Sequence, residues 1–280
     1  MSNEKPKIAP TRFMLIIGAM KSGTTKLIHD LDCIPEICLS ARKETNFFIK
    51  AIKEDRLSQT NESSLLAKYQ NGWPSLNPLK HQYALEVSTS YAKVPVQPMA
   101  AGLIRRVSES TSSSFKVIYI PRIPIDAVSP FYRHAFTSYL AWARNHRIAV
   151  LSHDILSRHL LAIYSYAKQL EKFSSWLSRE SLLLINFSMF TQAPAEIARE
   201  VARFLGLDSC FEFEDSGVRH SSDARLESYR DIAEYTLPPD LANWKLSSSQ
   251  RETIIHLLRE DIKRLREVYE FDTSEWTEFN

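Results

Sequence analysis

Phe13-Met14-Leu15-Ile16-Ile17-Gly18-Ala19-Met20-Lys21-Ser22-Gly23-Thr24-Thr25 is the stretch from which the rest of the chain can be read. The apolar run Phe13 to Ile17 has the length of a strand and ends at Gly18. A short polar loop follows, and then Leu27, Ile28 and Leu31 recur at helical spacing. A loop between such a strand and such a helix turns successive backbone N–H groups into one concavity. The helix N-terminus adds a partial positive charge, so the ligand this loop suits is a phosphate.

Gly18 and Gly23 have the glycine spacing of the nucleotide-binding G-x-x-x-x-G-K-[ST] loop, but Thr24 stands where its lysine belongs and Lys21 lies inside the loop. Nucleotide hydrolases of that type also end a second strand in an aspartate for Mg²⁺. The later apolar runs, Lys116 to Ile120 and Leu182 to Phe187, end in Pro121-Arg122 and Ser188. The loop is therefore read as P-loop-like and metal-free, with the Lys21 ammonium as its point charge. Lys21-Ser22-Gly23-Thr24-Thr25 resembles the 5′-phosphosulfate loop of sulfotransferases that use 3′-phosphoadenosine-5′-phosphosulfate (PAPS).

Composition sets outer bounds. A chain of 280 residues with 44% hydrophobic residues can bury a substantial core, and 35 Lys and Arg against 33 Asp and Glu leave a net charge of +2. No large polyanionic partner such as nucleic acid is demanded by that balance. The three cysteines, Cys33, Cys38 and Cys210, are too few and odd in number for a disulfide framework, which favours a reducing, cytoplasmic setting. Met1 to Arg12 is polar and reads as a flexible arm without a signal-peptide core, and no apolar run approaches membrane-spanning length. The eight histidines show no metal-ligand spacing.

Along the chain, a short strand is expected at Glu36 to Ser40, and further strands at Tyr83 to Val87, Lys116 to Ile120 and Leu182 to Phe187. Helical periodicity marks Leu65 to Tyr69, Met99 to Val107, Ile125 to Leu140 with an interruption at Pro130, Leu160 to Leu170, Ile197 to Leu205, and Ile254 to Leu265. Ser108 to Ser114 reads as a serine-rich connection and Arg42 to Phe48 as a loop. Ser249 and Glu252 form a possible capping box, and Gly206 a helix stop. Strands alternating with helices, with no long linker or repeat, give one α/β domain over residues 13–280. It is expected to be a three-layer sandwich around a central parallel sheet.

The resemblance implies roles for particular residues. Lys21, Ser22, Gly23, Thr24 and Thr25 would hold the 5′-phosphosulfate, with Lys21 meeting charge on the leaving phosphate. Lys43-Glu44-Thr45-Asn46-Phe47-Phe48 resembles the Lys-Glu-x-His-Phe-Phe stretch of glycan-type sulfotransferases, including the heparan sulfate enzymes. Carried across, Glu44 is the general base, with Lys43 near the sulfuryl group and Asn46 in place of the usual histidine. Desolvation by Phe47 and Phe48 would raise the pKa of such a base. Pro121-Arg122-Ile123-Pro124 resembles the family's strand-Arg-x-Pro-helix motif, in which the arginine forks onto the 3′-phosphate of PAPS. The family's serine partner stands eight residues later, where this chain has Pro130. Ser129 is one residue early, and a helix kinked at Pro130 would re-aim it. Glu86-Val87-Ser88-Thr89-Ser90-Tyr91 resembles a family segment at a strand end, where Glu86 either orients the acceptor or ties down the loop. Arg219 sits in a late basic stretch that can close over the nucleotide.

The resulting expectation is a PAPS-dependent sulfotransferase acting on a hydroxyl or amine, carbohydrate-like by family analogy, with PAP as product and no metal. The alternatives are a small-molecule kinase with a degenerate phosphate loop, and a non-catalytic nucleotide-binding protein on the same scaffold. Acceptor contacts are expected from Ile49 to Pro78 and Trp142 to His159. Oligomeric state is not written in the sequence.

Overall fold

The computed structural model describes residues 12–54, 61–93, 100–131, 163–207, 211–213 and 245–280. Five strands form the sheet: β1 (Arg12–Gly18), β2 (Ile37–Leu39), β3 (Tyr83–Val87), β4 (Ser114–Tyr119) and β5 (Leu182–Leu184). Their order is β2-β3-β1-β4-β5, and every pairing is parallel. β1 lies at the centre, with Phe13 opposite both Ala84 of β3 and Phe115 of β4.

Alternation along β1 feeds two cores. Met14 and Ile16 pack with Leu27, Leu31, Ile197 and Val201, while Phe13, Leu15 and Ile17 pack with Ile104, Leu170 and Ile262. Both faces of the strand are covered, which is why it reads as a continuous apolar run and not an alternating one. The first face carries helices α1 (Thr24–Asp32) and α8 (Pro194–Leu205). The second carries α4 (Ala100–Thr111), α6 (Tyr166–Ser174) and α9 (Ser248–Tyr269), and α3 (Glu62–Gln70) adds Leu65, Leu66 and Tyr69 to the same core. Two short helices, α2 (Phe47–Lys53) and α7 (Phe187–Gln192), and α5 (residues 124–131) complete the described elements named here. The expected three-layer sandwich around a parallel sheet is what is found.

Several boundaries differ from the sequence reading. β1 starts at Arg12, inside the expected arm, because Arg12 pairs with Ser114; residues 1–11 lie outside the described residues. α4 runs to Thr111, so the serine-rich stretch begins as helix, and Ser108 Oγ donates to the Ser113 carbonyl at 2.7 Å. Phe47 opens α2 and leaves only 42–46 as loop. β5 stops at Leu184: the Asn186 side chain accepts from Ser188 N–H at 2.8 Å and starts α7, and Phe187 N–H turns to the Pro121 carbonyl at 3.1 Å. The capping box of α9 is Ser247 with Gln250, two residues before the expected pair. α5 continues through Pro130 to Phe131 without interruption. α6 begins at Tyr166 after a break at Ser165, and residues 160–162 fall outside the described residues.

Candidate active site

In a parallel sheet the connections leaving the C-terminal strand ends share one edge, and ligands settle there beside the point where strand order reverses. Here that point is flanked by β1, β3 and β4, and the sequence-predicted residues all follow strand ends: Lys21 after β1, Glu44 after β2 and Arg122 after β4.

The loop after β1 is pinned at its root to the end of β4. Ile120 N–H donates to the Gly18 carbonyl at 3.0 Å and Ala19 N–H to the Ile120 carbonyl at 3.2 Å. Lys21 has φ 64° and Gly23 φ 76°, two left-handed positions that curl the loop into a concavity at the N-terminus of α1. Ser22 between them is fully buried, and its Oγ has no hydrogen-bond partner among the described residues. An unpartnered buried hydroxyl is costly, and one set in an amide-lined cradle fits an anion's oxygen as its missing partner. Thr24 and Thr25 open the helix.

The turn after β2 is held by β3. Glu44 and Asn46 both adopt left-handed backbone, with φ 55° and 50°. Glu44 N–H donates to the Val87 carbonyl at 2.8 Å, and Asn46 Nδ2 donates back to the Glu44 carbonyl at 3.2 Å. The Asn46 amide thus braces the turn. The Glu44 carboxylate accepts from Thr89 N–H at 3.0 Å and from Thr89 Oγ1 at 2.9 Å, so both oxygens are fixed in place. The adjacent Lys43 ammonium donates to Thr25 Oγ1, which joins this turn to the phosphate-type loop. Lys93 stands nearby; burial pushes its ammonium pKa down, and the Glu44 charge partly opposes that shift.

Glu86, at the end of β3, is fully buried and accepts from four hydroxyls: Thr45, Tyr69 at 2.5 Å, Ser88 at 2.7 Å and Tyr91 at 2.8 Å. Burial, and next the Glu86 charge, push the Tyr69 and Tyr91 phenols well above the ordinary tyrosine range. Of the two sequence readings of Glu86, the tie to the loop is the one these contacts express.

Arg122 lies at the rim of the same loop. Its Nη1 donates to the Lys21 carbonyl at 2.9 Å, its guanidinium sits 4.4 Å from the centre of the Phe187 ring, and its own carbonyl accepts from Tyr166 OH at 2.8 Å. Burial lowers its pKa, opposed by Asp126, and an arginine stays charged at any working pH. Ser129 is half-buried on α5, and no hydrogen bond ties it to Arg122 or to the loop among the described residues. Arg219 and Trp142 to His159 lie outside the described residues. Among the described residues no three His, Cys, Asp or Glu side chains gather as a metal-binding cluster.

The structure therefore brings Lys21 to Thr25, Lys43, Glu44 and Arg122 around one edge of the sheet. Thr89, Tyr166 and Lys93 were missed by sequence reasoning. Thr89 lies in the quoted segment 86–91, but nothing in a sequence pairs it with a glutamate 45 positions earlier.

The sulfotransferase domain family matches residues 12–239. A search of curated protein sequences found no match. Among solved structures, a sulfotransferase from Alicyclobacillus acidocaldarius is similar in fold. Its TM-score is 0.62 at 21% identity, over 96% of this chain and 98% of its own. The sulfotransferase domain from the curacin biosynthetic pathway has a TM-score of 0.47 at 14% identity, over 90% and 98% of the two chains. Mouse sulfotransferase SULT7A1 complexed with PAP has 0.46 at 14%, over 91% and 85%. The family match sets aside the kinase reading, and the chain belongs to the sulfotransferase domain family, a family of PAPS-dependent enzymes.

Proposed function

We propose that this chain transfers a sulfuryl group from PAPS to a hydroxyl or amine of a carbohydrate-like acceptor. The observation that carries the reading is the Lys43–Thr25 bond, because it ties the turn on which Glu44 stands to the phosphate-type loop. Lys21, Ser22, Gly23, Thr24 and Thr25 hold the 5′ end of the donor, and the unpartnered Ser22 hydroxyl supports that fit. Arg122, with Ser129, takes the 3′-phosphate. A guanidinium carries five N–H donors, so one bond to a carbonyl leaves a fork for an anion. PAPS, when bound, supplies the sulfuryl group. Glu44 accepts the proton that the acceptor O–H or N–H gives up as its oxygen or nitrogen bonds to sulfur, and the S–O bond to the phosphate breaks. The Lys21 and Lys43 ammonium groups meet the negative charge on either side of that transfer, so the site uses lysine where a kinase uses a divalent ion.

The sugar-type acceptor is supported by the Lys43-Glu44-x-x-Phe47-Phe48 pattern. No helix among the described residues is long and apolar enough to cross a membrane. Cys33 and Cys38 are free thiols, which supports a cytoplasmic setting.

Glu44→Gln is expected to bind PAP as the wild type does and to lose transfer of labelled sulfate by about 10²-fold or more. Full transfer by that variant removes Glu44 as the base. In a titration, PAP is expected to bind more tightly than adenosine 5′-phosphate, and Arg122→Ala to abolish the difference. Equal binding of the two nucleotides by the wild type refutes the 3′-phosphate assignment.

A further inference from the structure

We propose that Glu86 is a positioning residue for Glu44, acting through three hydroxyls that carry its charge to the turn on which Glu44 stands. The inference rests on Glu44 being the base. Glu86 has no lysine, arginine or histidine at ion-pair distance among the described residues. A buried carboxylate held only by neutral donors is expensive, and a chain that needed only a filled core would do better with an apolar side chain.

The pattern of its bonds shows what the carboxylate does. Oε2 takes Tyr69 alone, while Oε1 takes Thr45, Ser88 and Tyr91. Each of those three hydroxyls then accepts a backbone N–H from consecutive residues. Ser88 Oγ takes Asn46 N–H at 3.0 Å, Thr45 Oγ1 takes Phe47 N–H at 3.2 Å, and Tyr91 OH takes Phe48 N–H at 3.2 Å. A hydroxyl has one proton, so each bond to Oε1 fixes which way that hydroxyl faces and leaves its lone pairs for the amide. The three amides are those of Asn46 and of the first two residues of α2, so they anchor the end of the turn that carries Glu44 and Asn46 in left-handed backbone, a conformation that persists only where its surroundings hold it. Ser88 also leads into Thr89, which grips both oxygens of Glu44. One buried oxygen thus orients both strands of chain that fix the base, without touching the acceptor.

The test compares Glu86→Gln with the wild type, alone and in the Glu44→Gln background. Glutamine keeps the size of the side chain and replaces the charged acceptor. The expected result is a fall in kcat of about ten- to a hundredfold, as for a reacting group displaced by a fraction of an ångström. PAP affinity by calorimetry should stay within about twofold. Added to Glu44→Gln, the same change should cost nothing further, because it acts only through the missing base. Where Glu86→Gln is not recovered folded, Tyr91→Phe serves: it removes one of the three hydroxyls and keeps the ring, with a several-fold loss of kcat expected that likewise vanishes without Glu44. Wild-type kcat in the folded variant, or an undiminished loss in the Glu44→Gln background, overturns the proposal. Full transfer by Glu44→Gln alone overturns instead the base assignment on which the proposal rests.

Discussion

A methyl group at Gly23 has neither backbone freedom nor space. The residue has φ +76°, and an added Cβ would lie 3.2 Å from both Phe187 and Phe190. Gly206 shares the conformation, with φ +67°, but faces open space. Gly206→Ala is therefore expected to cost about 1 kcal/mol in urea unfolding, from conformation alone. Gly23→Ala should cost about 2–3 kcal/mol and weaken PAP binding as well. Equal costs at the two positions would show that the phenylalanine wall yields. Lys93 gives a second test. Its folded pKa lies below the unfolded value, so holding the proton costs stability at pH 7, and that cost fades as pH rises toward the unfolded value of about 10.5. Lys93→Met should raise Tm at pH 7 and raise it less near pH 10. An equal gain at both pH values would locate the effect in packing. At this scale the placement of Lys21, Glu44 and Arg122 after neighbouring strand ends was legible, because each belongs to a short local pattern. The grip of Thr89 on Glu44 and of Glu86 on Thr45 was not, because those partners meet across 45 and 41 positions of chain.

Elements were legible in kind and less so at their ends. Ser247, Ser248 and Ser249 stand in a row before α9, and both Ser247 with Gln250 and Ser249 with Glu252 satisfy the capping-box spacing. Sequence alone has no means of choosing between them. The structure chooses the first, with reciprocal bonds of 3.2 Å and 2.9 Å. Ser247→Ala is accordingly expected to destabilise by about 1 kcal/mol and Ser249→Ala by no more than a few tenths, measured by thermal unfolding. The reverse order would move the helix start. β5 was read too long for a related reason. Leu182 to Phe187 is apolar but for Asn186, and Leu182, Leu183 and Leu184 are only half-buried on the sheet edge, while the chain after them is redirected by the Asn186 cap and the Phe187 bond to Pro121. Apolar run length reports burial, and burial does not end where hydrogen-bonded strand ends.

At the scale of the molecule, the parallel sheet and its two covered faces followed from β1 and from the alternation of strand and helix patterns. The packing of four buried tyrosines did not. Tyr69, Tyr91, Tyr119 and Tyr164 all have phenols pushed well above the ordinary range, with burial the first cause in each. The folded chain keeps these protons above pH about 10, where the unfolded chain releases them, so stability is full below that pH and falls as pH rises beyond it. The urea midpoint is expected to decline steeply between about pH 10 and 11, with tyrosinate absorbance from these residues appearing only as the protein unfolds. Tyrosinate growing in while the protein stays folded would contradict their burial.

Strand order carries a consequence for synthesis. β1 is made first, yet its two edges are closed by Tyr83–Val87 and Ser114–Tyr119, which leave the ribosome much later. Until then a nascent chain exposes its most apolar segment with bare amides along one side, a surface that invites chaperone capture or clumping. Truncated products ending before Ser114 should consequently accumulate as insoluble protein, while those that include β4 gain the pairing that protects the first strand.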